Sequence, residues 1–359
     1  MRILVNDIAA SKTGALSILK DFHAYLQEHA DDNEWIFLLS DHYLEETGNI
    51  RVQILPQVKK GWLHRLAFDL FYGKKVVREY DPDVYFSMQN TLPFGYRGKQ
   101  ALYVHQPLGF QKTKRFSLLL KREREYAVYQ HLIGKLINAS VRKADLTIVQ
   151  TEWMKKALTE VAHADPAKVQ KVLPTMPDLS AYAQSVQPDT HTFFYPSGSM
   201  LYKNHSLLYE AAGLLYEKGY RDFKIRLTLT KEELSDVLGT GRDRIPDCFD
   251  CMGRIDRERV YELYQRSVLL FPSYIETFGY PPAEASAIGT IVLASDCPFC
   301  HEVLDGYPNA RFFDPFDAAA LAGSMEAVMK GEIRCLKTEQ TAGNTANSWA
   351  EVVELVTGL

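Results

Sequence analysis

The stretch FPSYIETFGYPPAEASAIGTIVLASD, residues 271–296, decides how this chain is read. The apolar run SVLLFPS (267–273) leads into it and TIVLASD (290–296) closes it, both rich enough in branched residues to read as strands. Between them lie a turn, YIETFGYPP, and a helix body, AEASAIG. Gly279 permits a sharp turn or a close approach of backbone to ligand. Pro281 and Pro282 suit a first helical turn, where a missing N–H costs nothing. Two acids, Glu276 and Glu284, stand with seven residues between them. Free amides at such a helix start favour a phosphate, and a carboxylate can accept two hydrogen bonds from a vicinal diol. Acids beside a phosphate-binding helix start suit a ligand with a diol on each side of a diphosphate, which describes a nucleotide sugar. The plainer alternative makes Glu284 a solvated helix residue and Glu276 an acid at a positive dipole end. It leaves the glycine, the prolines and the small residues to be explained separately.

Outward from this stretch the same alternation recurs. RILVND, EWIFLLS, VQILP, DVYFSM, ALYVHQ, LTIVQT and KVLP read as strands in the first half, with GALSILKDFHAYLQEHA and TEWMKKALTEVA as crossover helices. A second series follows in TFFYPSG, KIRLTLT, CFDCMGRI, SVLLFPS, TIVLASD and ARFFDP. The polar, proline-dotted TMPDLSAYAQSVQPDTH between the series is the linker candidate, near residues 175–190. A chain of 359 residues is long for one core. The expectation is therefore two doubly wound, Rossmann-like α/β domains, residues 1–180 and 188–346, with a final helix at 347–359 crossing back to the first. Open sheets of this kind bind ligands at their carboxyl edges, and a cleft between the two domains is the expected place for one.

Composition excludes several classes. Hydrophobic residues make up 46% and charged residues 24%, ordinary for a soluble globular protein, and a net charge of −4 argues against nucleic acid as a partner. No apolar run is long enough to span a bilayer, and the first residues do not read as a signal peptide. Five cysteines without such a signal imply reduced thiols and a cytoplasmic location. Cys248 and Cys251, and Cys297 and Cys300, form two C-x-x-C pairs with 45 residues between them. Zinc sites usually use a shorter gap, so small buried thiols are the expectation.

Within its surroundings the opening stretch resembles the E-x7-E region of glycosyltransferase family 4, retaining enzymes of GT-B architecture that include bacterial polysaccharide transferases. The pattern P-S-x-x-E-x-F-G-x-P-x-x-E-A-x-A-x-G carries the resemblance, and GRIDRERVYELYQRSVLLFPS extends it upstream. The resemblance implies that residues 1–180 bind the acceptor and residues 188–346 the nucleotide-sugar donor, with Glu276 contacting the donor sugar and Glu284 the ribose. It implies that Lys203, in YPSGSMLYKNHSLLYEAA (195–212), holds the diphosphate, where an ammonium acts as a point charge. The family also carries an arginine a few residues earlier; Ser199 stands about there. His105, ending a strand in YVHQPLGF, matches a family histidine near the reacting sugar. Glu276, His105 and Lys203 are thus the catalytic candidates. Ser199, Gly253, Arg254, Thr277, Phe278, Gly279 and Tyr280 join Glu284 and Lys203 as donor-binding candidates. Thr13 and Gly14 form a candidate acceptor or phosphate loop before the first helix.

The implied activity is transfer of a hexose from a UDP- or GDP-sugar to a hydroxyl of a glycan or lipid-linked acceptor, in surface-polysaccharide synthesis. The donor is a substrate, no cofactor is implied, and no metal is expected: Asp81 and Asp83 have an Asp-x-Asp spacing but precede a strand, where a cap or turn reads better. Residues 111–143 carry nine Lys or Arg against two Glu, so peripheral contact with an anionic inner membrane face is a further expectation, with a solvated helix face as the plainer one. Competing readings are a non-catalytic, transferase-like partner protein, a nucleotide-sugar epimerase and a glycosidase, which also uses two carboxylates.

Overall fold

A computed structural model describes residues 1–10, 13–29, 32–183, 187–337 and 348–359, with the side chains of Thr13, Gly14 and Trp62 outside that description. Part of the linker candidate (184–186) and the expected boundary at 346–347 lie outside the described residues. The chain divides into two compact units, Met1–Thr175 with Ala346–Leu359, and Met176–Thr345.

The first unit is built on a seven-stranded sheet of β1 (Arg2–Asn6), β2 (Glu34–Leu39), β3 (Ile50–Ile54), β4 (Val84–Ser87), β5 (Lys99–Tyr103), β6 (Leu146–Val149) and β7 (Val169–Lys171). Its order is β3-β2-β1-β4-β5-β6-β7, and every pairing is parallel. Because side chains alternate along a strand, Ile3 and Val5 enter one buried layer and Leu4 the other. The layer with Ile3 also receives Phe22 from the helix Thr13–Glu28 and Trp349, Val352 and Val356 from the helix Ser348–Thr357. The rings of Phe22 and Trp349 lie 4.8 Å apart, and the Ser348 amide donates to the Thr175 hydroxyl at 3.0 Å. The last helix is thus part of the first unit's core.

The second unit holds a six-stranded sheet of β8 (Thr192–Tyr195), β9 (Lys224–Leu227), β10 (Phe249–Cys251), β11 (Val268–Phe271), β12 (Val292–Ser295) and β13 (Ala310–Phe313). The order is β10-β9-β8-β11-β12-β13, again all parallel. Phe193 to Tyr195, Val268 to Phe271 and Val292 to Ala294 are fully buried. Such unbroken apolar runs are what a sheet covered by helices on both faces requires.

In each sheet the order reverses at one place. In the first unit the chain winds outward from β1 through β2 to β3, then returns to place β4 on the other side of β1. In the second it winds from β8 through β9 to β10 and returns with β11 beside β8. At such a switch point the loops after the two central strands part and leave a crevice where open α/β sheets bind ligands.

Candidate active site

The second unit's switch point is built by the loops after β8 and β11. Gly279 has φ +98°, and a Cβ there would stand 3.3 Å from Pro282 Cγ, so the position is reserved for glycine. It caps the helix Tyr280–Ile288, with the prolines in the first turn. After β8 a short turn, Leu201–Lys203, precedes Asn204 in the left-handed region (φ 64°) and the helix His205–Glu217.

The two loops are stitched together. Asn204 Nδ2 donates to the carbonyls of Pro272 and Pro315, at 3.2 and 2.7 Å. Tyr202 O accepts from the Tyr274 amide at 3.1 Å, with Ser273 Oγ 3.2 Å away. These bonds fix where Lys203 points. Its Nζ donates to Glu276 Oε1 at 2.5 Å, and Ser273 Oγ donates to the same oxygen at 2.6 Å. The two charged side chains are 14% and 18% exposed. An ammonium and a carboxylate therefore meet at the crevice mouth, each able to turn to a ligand of opposite polarity. His205, fully buried, contacts the Ser197 hydroxyl through Nε2 at 3.0 Å. Burial, with the Lys203 charge beside it, holds its pKa down to about 3, so it stays neutral. Lys-Asn-His is thus one device: the lysine charges the crevice, the asparagine fastens its turn, and the histidine supports the preceding loop.

Glu284 lies in the helix behind the loop and is buried. Tyr264 OH donates to its Oε2 at 3.2 Å, and Arg257 Nη2 stands 3.6 Å from Oε1. Burial outweighs both and pushes its pKa up to about 7. Asp256 caps the helix Arg257–Arg266 by accepting from the Arg259 amide at 2.9 Å, which sets Arg257 opposite Glu284.

The remaining candidates disperse. Phe278 and Tyr280 pack edge to face at 5.2 Å beside Gly279, with Thr277 half-buried between Glu276 and Phe278. Gly253 (φ +70°) follows β10, its amide donating to Leu229 O at 3.1 Å, and Arg254 is exposed. Ser199 is exposed as well. The helix Thr13–Glu28 starts after β1 and includes Gly14 near its first turn, while the side chains of Thr13 and Gly14 lie outside the described residues. Cys248 and Cys251 bracket β10, Cys297 and Cys300 flank a helix start, and all five cysteines are free thiols. Among the described residues no three His, Cys, Asp or Glu side chains gather as a metal-binding group.

His105 belongs to the first unit, two residues past β5. Its backbone amide donates to Asn90 Oδ1 at 2.7 Å, and Asn90 Nδ2 lies 3.4 Å from its Nε2. Burial, with the Arg65 charge nearby, lowers its pKa to about 4. Near it stand residues that no sequence motif marks. Asp7 follows β1, Gln89 follows β4, Arg65 Nη2 donates to Gln89 O at 2.7 Å, and Asp69 Oδ2 accepts from the Thr91 hydroxyl at 2.7 Å. Burial raises the carboxyls of Asp7 to about 7 and Asp69 to about 6, against the pull of Arg65. Their position just past strand ends was visible in the sequence for Asp7 and Gln89. Arg65 and Asp69 come from a crossover segment, and no local pattern marks them.

Two parallel-stranded α/β units, each with a polar cluster at its switch point, define a protein of the GT-B class. Solved structures agree along the whole chain. Sucrose-phosphate synthase from Thermosynechococcus elongatus superposes with a TM-score of 0.68 at 16% identity, covering 99% of this chain and 94% of that one. Anabaena Alr3699/HepE, solved with UDP and glucose, gives 0.64 at 17% identity with both chains fully covered. At such identities the likeness is one of fold. Residues 181–349 match the family model described as glycosyl transferases group 1. A curated relative, N,N'-diacetylbacillosaminyl-diphospho-undecaprenol alpha-1,3-N-acetylgalactosaminyltransferase of Campylobacter jejuni subsp. jejuni, is 28% identical over 143 residues. That match spans 37% of this chain and 38% of the relative.

Proposed function

We propose that the protein is a retaining, metal-independent glycosyltransferase that moves a hexose from a UDP- or GDP-sugar to a hydroxyl of a glycan or lipid-linked acceptor in cell-surface polysaccharide synthesis. The observation that carries this reading is the Lys203–Glu276 pair at the second unit's switch point, next to a glycine-started helix. The ammonium of Lys203 and the helix amides receive the diphosphate. Glu276 accepts from the sugar's hydroxyls, and Glu284, in its ionised form, from the ribose diol. The bond from the anomeric carbon to the phosphate oxygen breaks with its electron pair leaving on the diphosphate. The acceptor oxygen bonds to the same carbon from the same face, and its proton passes to the departing phosphate. The HepE structure with UDP and glucose and the name of the Campylobacter relative support the ligand classes.

The test is thermal unfolding of wild type and Glu284→Ala with UDP, GDP, ADP and dTDP. A ligand that binds only the native state raises the midpoint by mass action. One nucleotide is expected to raise wild type by several degrees and Glu284→Ala by much less. If none does, the second reading takes over: a transferase-like protein without donor turnover, which the exposed Ser199 in place of a family arginine favours.

We further infer that the protein works against an anionic membrane surface. Leu118, Leu119 and Leu120 project consecutively from the first unit, Leu119 being 89% exposed, between Arg115 and Lys121. Apolar tips between cations fit the headgroup boundary of such a bilayer. No helix of the described residues is long and apolar enough to cross one. Flotation with anionic liposomes is expected, weakening with salt and with Leu119→Ser.

A further inference from the structure

We propose that Arg257 is a positioning residue for the nucleotide: its guanidinium lies across the outward oxygen of Glu284 and holds that buried carboxylate ionised for a ribose diol. The inference deepens the transfer reading and rests on it for the part that Glu284 plays. The side chain of Glu284 is 7% exposed and that of Arg257 67%. Tyr264, 1% exposed, donates to Oε2 at 3.2 Å from the core side, so Oε1 is the oxygen that faces Arg257 and the surface. Arg257 Nη2 stands 3.6 Å from it, too far for a hydrogen bond and close enough for Coulomb attraction to act. Oε1 thus stays open to hydroxyls with a positive charge beside it. A tight bidentate pair would close the carboxylate, and a carboxylate without a counter-charge at this depth would keep its proton.

No other cation acts on Glu284 among the described residues. The helix Arg257–Arg266 packs on the Glu284 helix and brings Tyr264 and Tyr261 to it besides Arg257. Burial pushes both phenols up, Tyr261 to about 12, so neither gives up its proton near neutrality. Glu258, on the same helix, acts on Tyr261. The neighbouring strands β11 and β12 carry no titratable side chain. The turn Ser180–Tyr182 adds Tyr182, whose ring packs on Tyr261 at 5.2 Å. The helix Pro298–Val303 brings Cys300, which feels the charge of Glu276, and His301, whose Nε2 lies 2.6 Å from Asp296 Oδ1, with Glu302 beside them. The balance over Glu284 is therefore burial against one guanidinium, with the Tyr264 bond a smaller help. Asp256 fixes that guanidinium's origin by capping the helix that starts at Arg257. Because Arg257 is exposed, solvent screens its effect to the lower end of what a neighbouring opposite charge does, about one pH unit.

The test uses the full chain as wild type, Arg257→Gln and Arg257→Lys; the side chain is exposed, so the core is left intact. Carboxyl-labelled glutamate reports the ionisation of Glu284 by NMR, its resonance assigned by its absence in Glu284→Gln. UDP, GDP, ADP and dTDP are titrated by calorimetry from about pH 6 to about pH 9. Half-ionisation is expected near pH 7 in wild type, about one pH unit higher in Arg257→Gln and close to wild type in Arg257→Lys. The nucleotide that binds should lose about fivefold in affinity at pH 7 in Arg257→Gln, and nothing at about pH 9, where Glu284 is ionised in both. Arg257→Lys should keep most of the wild-type affinity at either pH. The proposal is overturned if the resonance titrates alike in wild type and Arg257→Gln. It is overturned also if the loss persists at the alkaline end, which makes Arg257 a direct contact of the nucleotide, or if lysine restores neither readout. If the resonance moves with Arg257 but none of the four nucleotides binds at any pH, the transfer reading fails and the charge pairing stands. If a nucleotide binds with an affinity that ignores both pH and Arg257, this inference fails and that reading stands.

Discussion

The two switch points solve one electrostatic problem in opposite ways. In the second unit the Lys203 ammonium and the Glu276 carboxylate neutralise each other at 2.5 Å at a partly open mouth. In the first, Asp7 and Asp69 are buried beside the half-buried Arg65 and His105, and burial raises the two carboxyls, to about 7 and about 6, and lowers the imidazole. The difference is that like topology places a polar cluster at the same edge of each sheet, while the burial of its carboxyls differs between them.

The largest break in this comparison is expected from Glu276→Gln. The amide keeps a bond from Ser273 but leaves Lys203 without its counter-charge and the sugar without a carboxylate. Donor turnover should fall by about 100-fold or more. Asp7→Asn, at the other switch point, should leave nucleotide binding unaltered. Steady-state kinetics with the donor identified by thermal shift would check both, and equal losses in nucleotide affinity would erase the distinction between the sites.

A pH scan sharpens it. Glu284 has a folded pKa of about 7, raised from 4.5, so between those values the native state holds a proton the unfolded chain has released. Its contribution is fully present below pH 4.5 and is lost as pH rises through 7. The slope is about 1.4 kcal/mol per pH unit for one proton. Asp7 and Asp69 act with the same sign from the first unit. Glu284→Gln should therefore remove about one proton's worth of slope from denaturant-derived stability measured between pH 5 and 7. Nucleotide binding should release a proton near neutrality, because a diol is best held by the ionised carboxylate; calorimetry in two buffers of different ionisation enthalpy measures it.

The local geometry of the second unit was legible because its candidate residues lie in one local run. Gly279, Pro281, Pro282 and Glu284 sit within a single turn and helix, and each has a local reason. Gly279→Ala tests that reason: φ +98° should cost about 1–2 kcal/mol in thermal unfolding. Lys203 was legible for the same reason, yet its pairing with Glu276 was not, since it depends on Asn204 reaching across to Pro272 and Pro315. In the first unit the strands could be read, but the cluster could not. Arg65 and Asp69 meet Asp7 and Gln89 only after a crossover, and no spacing announces a partnership between segments so far apart. KVLP shows a smaller limit: the strand forms at Val169–Lys171, two residues earlier, because its register is set by Thr147 to Val149 of the neighbouring strand and not by its own apolar residues.

The smallest expected effect concerns the missing arginine. If Lys203 and the helix amides already hold the diphosphate, a guanidinium restored by Ser199→Arg adds one charge at an exposed position. Exposed ion pairs contribute between nothing and about 1 kcal/mol, so nucleotide affinity should rise by no more than about fivefold, with the gain fading in salt. Stability should not change, since Ser199 lies outside the core. A rise of about 100-fold would mean that the second unit's mouth is short of positive charge after all. Lys203 would then be a structural partner of Glu276 first and a phosphate ligand second. The contrast between a charged switch point and a neutralised one would narrow to a difference in depth alone.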